Sequence, residues 1–143
     1  MSTLFQITLT VFCAFTIIIT SVMDLNTTHM TNPLWPAHAR FHWGIQYLSC
    51  LLMQLFALVL LWSARGKGGD PLVIMVIAAA PLLFWGLFLP ALLFPGTGTW
   101  PDGVSAPAGM PAFFLRFHPN MIIALVITIT TVVLTVREIK WLR

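Results

Sequence analysis

Four apolar stretches without a single charged residue, at about residues 4–23, 43–63, 72–94 and 120–136, dictate what this chain can fold into. A helix rising 1.5 Å per residue needs about 20 residues to cross a hydrocarbon core ~30 Å thick. Backbone N–H and C=O groups in lipid must be satisfied within the segment, which makes each stretch an α-helix. The spacing therefore predicts an all-α, antiparallel four-helix membrane bundle, one polytopic domain over residues 1–143. Composition agrees: only 8% of residues are charged, against roughly 25% in a soluble domain. So few charges cannot clothe a water-facing surface. The bilayer is thus the first partner. The first stretch is expected to stay as a helix rather than serve as a cleaved leader. Its apolar run is too long, no Lys or Arg precedes it, and no Ala-x-Ala site follows.

Orientation follows from the basic residues in the short connections. Arg65, Lys67, Arg137, Lys140 and Arg143 fall on the side of the termini and middle turn; Arg40 and Arg116 fall on the other. Five against two predicts that both termini are cytoplasmic. These cations are dispersed and form no stripe that would neutralise phosphates, so nucleic acid is excluded as a partner. Cys13 and Cys50 lie inside apolar segments and read as small hydrophobes, not a redox pair. Pro81 and Pro90 interrupt the third segment, where each removes a helical hydrogen bond. Trp35, Trp43 and Trp100 suit an aromatic belt at one interface, Trp62 and Trp141 at the other.

All four histidines fall on one side of the bundle. His29, His38 and His42 sit in the first connection and His118 at the end of the last. Pro36 suits the first position of the second helix, where its missing N–H costs nothing. Helix then puts His38 and His42 four residues apart on one face. Extending that face gives Gln46, Ser49, Cys50 and Met53. A polar stripe of this kind is expected to face the bundle interior, away from lipid. Arg40 lies on the opposite side, pointing to headgroups or to Asp24, which ends the first helix. Asn26-Thr-Thr28 fits both a glycosylation site and a plain turn or cap, with the turn preferred. Threonines at helical spacing (Thr8, Thr16 and Thr20; Thr128, Thr131 and Thr135) predict that helices one and four turn those faces inward. No glutamate falls inside the four segments.

Three readings of the polar cluster stay open. One is a metal site of His38 and His42 with His29 and Asp24, although no His-Glu-x-x-His pattern is present. The second is acid–base chemistry on a small lipid or isoprenoid entering from the membrane. There His38 and His42 are acid and base, Asp24 orients them, and Arg40 or Asn32 holds a polar head. Asn26, His29, Gln46 and His118 complete the binding set. The third is structural: the cluster ties the loops together in a structural or accessory membrane subunit. The sequence assigns neither a cofactor nor an oligomeric state.

The run Asp24-x-Asn26-x-Thr28-His29-x-x-Asn32-Pro33-x-Trp35-Pro36-x-His38-Ala39-Arg40-Phe41-His42 resembles the signature of a family of small four-helix membrane proteins. That family occurs in bacteria and fungi and carries a domain-of-unknown-function label. The resemblance implies a four-span single domain centred on this loop and supplies no activity. Some members carry an acetyltransferase label, for which this chain offers no acyl-CoA phosphate cradle. In architecture alone the chain is also similar to the four-helix sterol isomerase and sigma-2 receptor fold, whose acidic catalytic residues do not align here.

Overall fold

The computed structural model describes residues 1–63, 69–100, 107–116 and 118–141. Arg65, Lys67 and Arg143 of the charge count lie outside the described residues. The described regular structure is entirely α-helical: α1 Thr3–Asp24, α2 Ala37–Trp62, α3 Pro71–Trp85, α4 Phe88–Ala91, α5 Ala112–Arg116 and α6 Asn120–Trp141. Four spans are long and apolar enough to cross a membrane, with α3 and α4 together forming the third. Only 22–33% of the residues in each span's most apolar window are buried inside the bundle. Leu52, Val59, Ile18 and Val133 point outward, as they do when lipid is the solvent. This is an integral, multi-pass membrane protein.

The helix ends follow from local chemistry. Ser2 caps α1, its hydroxyl accepting from the Phe5 N–H at 3.3 Å. Asp70 caps α3, its carboxylate accepting from the Leu72 N–H at 2.8 Å, and Pro71 fills the first helical position. Pro36 is extended (φ −66°, ψ 155°) and caps α2 from outside; it is not the first helical residue. The two interior prolines behave differently. Pro81 is buried within a continuous α3. Pro90 lies four residues beyond Gly86, where α3 stops; without a Pro90 N–H, the Gly86 carbonyl loses its helical donor.

α1 and α3 form the short diagonal of the bundle. Each packs against both α2 and α6, which occupy opposite corners. Three layers fill the interior. Phe5, Leu9, Leu61, Ile74 and Ile77 pack at the terminal end; Cys13, Ala57 and Ala80 make a narrow waist; Trp85, Ala124 and Ile127 pack with Phe12, Phe15 and Phe88 toward the loops. Helices in lipid gain little from apolar burial and associate through close packing and interhelical hydrogen bonds. The small waist residues allow the close approach. Among the described residues these bonds include Gln54 Nε2 to the Ala80 carbonyl (2.9 Å), Trp85 Nε1 to Thr16 Oγ1 (2.7 Å), Trp62 Nε1 to Thr10 Oγ1 (3.0 Å) and Ser21 to Tyr47 through their hydroxyls (2.8 Å). Thr16, Thr20 and Thr131 are buried, so α1 and α6 do turn threonine faces inward.

α6 exceeds its expected limit, and α2 starts ahead of its apolar stretch. α6 runs five residues past Val136 to Trp141 and carries Glu138, 6% exposed, into the helical span. That corrects the expectation that no glutamate enters the spans. Ser2 donates to this carboxylate from its backbone N–H and, at 2.7 Å, from its hydroxyl. α2 begins at Ala37, one residue after the expected Pro36, so the helix extends six residues ahead of the apolar stretch that opens at Trp43. Ser21 meets Tyr47, so Asp24, three residues further along antiparallel α1, lies level with about Gly44. Residues 37–43 therefore project beyond the end of α1.

Candidate functional site

The first connection is built by its own short polar side chains. The Asn26 side-chain oxygen accepts from the Thr28 N–H (2.8 Å) and the Thr28 hydroxyl (2.6 Å), while its amide donates to the Val22 carbonyl at 3.2 Å. This is a turn anchored on the last turn of α1. Asn32, 3% exposed, accepts from the Leu34 N–H at 2.9 Å. Arg40 reaches back from α2 and donates to the Asn32 carbonyl at 2.9 Å. Asn26 and Asn32 thus serve mainly to shape the loop, and Arg40 ties α2 to it through one guanidinium nitrogen while its buried Nε has no protein partner among the described residues.

Asp24 and His29 meet beneath that turn, with Nδ1 3.8 Å from Oδ1. This is ion-pair range, too long for a hydrogen bond. The tautomer of His29 follows from its neighbours. The Thr28 hydroxyl has one proton and donates it to Asn26, so at its 2.8 Å contact with His29 Nδ1 it accepts. Neutral His29 therefore carries its proton on Nδ1, toward Thr28 and Asp24, and Nε2 is the basic nitrogen. Trp35 holds the ring edge-to-face at 5.7 Å.

Asp24 also lines a notch of about 30 Å³ with Thr20, Trp43, Gln46, Tyr47, Cys50 and Phe84. That is room for about one water-sized group. His118 approaches from the far side of the loops. Its Nδ1 accepts from the Asn120 N–H at 3.2 Å at the start of α6, and Trp100 packs on it edge-to-face at 4.7 Å. Burial, and secondarily the nearby His29, hold the His118 imidazole below its ordinary value.

His38 and His42 do not join this group. They pair with each other, Nε2 to Nε2 at 3.0 Å with ring centroids 4.4 Å apart. Both are exposed, as are Gln46 and Ser49, which corrects the expectation that this stripe faces inward. The interior face of α2 is instead Trp43, Tyr47, Cys50 and Gln54. Of the stripe, Cys50 is buried and Gln46 borders the notch. Asp24 therefore lies beside His29, not between His38 and His42. Among the described residues no three His, Cys, Asp or Glu side chains converge as metal ligands; the proposed set of His29, Asp24, His38 and His42 is divided between two places.

Sequence reasoning placed Trp43 only in an aromatic belt and missed Tyr47, whose ring stacks on it (5.1 Å, 11°) beside the notch, as well as Gln54 and Glu138. Spacing offered a signal for three of them: Trp43, Tyr47 and Gln54 fall on one helical face. A larger open groove, about 520 Å³, lies at the other end against Val133, Arg137, Lys140 and Trp141. It is lined by α6 alone and is remote from the histidines. Comparison with family models, with curated proteins and with solved structures returned no match.

Proposed function

We propose that this membrane protein binds a small lipid or isoprenoid by its polar end, with Asp24, backed by His29, as the polar contact. The loop end faces the non-cytoplasmic side. The observation that carries the reading is the notch at Asp24, reached past the exposed Gln46. A volume of about 30 Å³ admits a hydroxyl or carbonyl and not a ring. The ligand's apolar body then lies against the outward faces of α1 and α2, in lipid. His29 stands behind Asp24, with Nδ1 3.8 Å from Oδ1, and steadies the carboxylate that meets the ligand.

The test is photo-crosslinking in membranes with a diazirine-bearing long-chain isoprenol. Asp24→Leu should reduce labelling by about tenfold or more, since a hydrogen bond to a charged group contributes ~1.5–3 kcal/mol. His38→Ala should label as the parent does. The reverse pattern overturns the proposal and moves the site to the exposed pair. The rival reading, a structural or accessory subunit, draws on the Asn26 and Asn32 side chains shaping the loop and on the Arg40 bond to the Asn32 carbonyl. It predicts no saturable labelling, with Asp24→Leu failing to accumulate.

A further inference from the structure

The Asp24 notch leaves the His38–His42 pair without a role, and its geometry is specific. The two residues occupy the first two turns of α2, in the part that projects beyond α1. There the side chains are exposed, within reach of aqueous ions. Their Nε2 atoms converge to 3.0 Å. In the neutral pair one Nε2 carries the proton and the other accepts it, so one ring must change tautomer before both nitrogens can bind an ion.

We propose that His38 and His42 form a two-nitrogen chelate for a divalent first-row transition ion of tetragonal preference, copper(II) or nickel(II), at the head of α2. The imidazole donors suit this class of metal, and the bite is compatible with it. With metal–imidazole bonds of about 2.0–2.1 Å, nitrogens 3.0 Å apart subtend about 91–97° at the metal. That is a cis angle of a square-planar or octahedral ion. Tetrahedral zinc wants nitrogens about 3.3 Å apart at the same bond length. Among divalent first-row ions copper(II) binds nitrogen sites most tightly. The two imidazoles supply two adjacent corners, and water or lipid phosphate oxygen supplies the rest. Binding moves the shared proton, by exchange with water, from that ring's Nε2 to its Nδ1, so both imidazoles remain neutral ligands and no oxidation state changes. Phe41 flanks the pair, with ring centroids 6.5 Å from His38 and 5.7 Å from His42. It shields one side and leaves the site open on the other. This site is separate from the Asp24 notch, so either proposal can fail alone.

The probe is copper(II) sulfate added to the full chain in detergent, with any polyhistidine tag removed. The parent should take up copper stoichiometrically, with an electron paramagnetic resonance spectrum showing tetragonal copper split by two nitrogens. Losing an outer-shell partner already costs ~10–100-fold in metal affinity, so His38→Ala and His42→Ala should each weaken binding by at least that much. His29→Ala and His118→Ala should bind as the parent does. Both Ala variants at the pair alter exposed side chains, and unchanged thermal unfolding without metal would confirm that they fold. His38→Gln and His42→Gln provide a second pair that keeps side-chain bulk. Substoichiometric copper in the parent overturns the proposal. So does parental affinity in either variant of the pair, or loss of binding in His29→Ala.

Discussion

His118 shows how much one residue can do at the start of a helix. Its Nδ1 accepts from the Asn120 N–H and its carbonyl from the Met121 N–H, at 3.2 and 2.9 Å. These satisfy donors that the first turn of α6 would otherwise leave unpaired. An imidazole accepts at Nδ1 only when that nitrogen is unprotonated. Burial first, and His29 second, hold His118 in that state by lowering its pKa. The sign of the linkage follows. The unfolded chain takes up the proton near the ordinary value of about 6.5 while the folded chain still resists it. The cap is therefore fully effective above that value. Its contribution is lost as pH falls from there toward the lowered folded value. His118→Asn retains an acceptor and removes the titration. Its unfolding temperature in detergent should fall less than the parent's between pH roughly 7.5 and 5.5, the range where histidine changes charge. Parallel curves for parent and variant would remove His118 from the acid response.

At the scale of the element, Gln54 is the polar link between α2 and α3. It is fully buried and its Nε2 donates to the Ala80 carbonyl, but its side-chain oxygen has no protein partner. Interhelical hydrogen bonds in a membrane average only ~0.6 kcal/mol, whereas an unsatisfied buried acceptor costs ~1–3 kcal/mol. Gln54→Leu, nearly the same volume, should therefore leave thermal stability unchanged or raise it. Gln54→Ala opens a cavity at the waist and should cost ~2 kcal/mol or more. A Leu variant as unstable as the Ala variant would show that the amide, not its bulk, holds α2 to α3. Gln54 also illustrates why faces were harder to read than spans. The spans were legible because lipid rejects charge over some twenty residues at once. The ends were nearly so: Pro36 marked the start of α2 to within one residue, although His38 and Arg40 keep Ala37–His42 out of the apolar stretch. The faces turned on one residue of register. His38, His42 and Gln46 are polar, but so are Tyr47 and Gln54 on the adjacent face, and the aromatic wall of Trp43 and Tyr47 settles which face packs inward. The Asp24–His29 pair depends on the Asn26 turn, whose geometry no spacing rule conveys.

At the scale of the whole molecule, the bundle is polarised. Its loop end gathers Asp24 and the four histidines, and its terminal end carries Glu138, Arg137 and Lys140 with the Trp141 ring 81% exposed. Orientation sets which compartment meets each end, and the Lys/Arg asymmetry predicts cytoplasmic termini. Two positions report on it without disturbing the fold. A Cβ at Gly98 meets nothing within 4 Å, and Trp141 ends α6 in the open. The native thiols add no background, because Cys13 and Cys50 are 0% and 3% exposed. Gly98→Cys should react with a membrane-impermeant maleimide in intact cells, and Trp141→Cys only after permeabilisation. Inverted labelling would place the Asp24 notch and the His38–His42 pair in the cytoplasm. The cause can be tested as well as the outcome. Replacing Arg65 and Lys67 by Gln removes two of the five cations on the terminal side and leaves three against two. With the bias nearly gone, insertion should become mixed, and both reporter cysteines should then label partially in intact cells. Unchanged labelling in that variant would show that the histidine loop, and not the basic residues, decides which way the bundle faces.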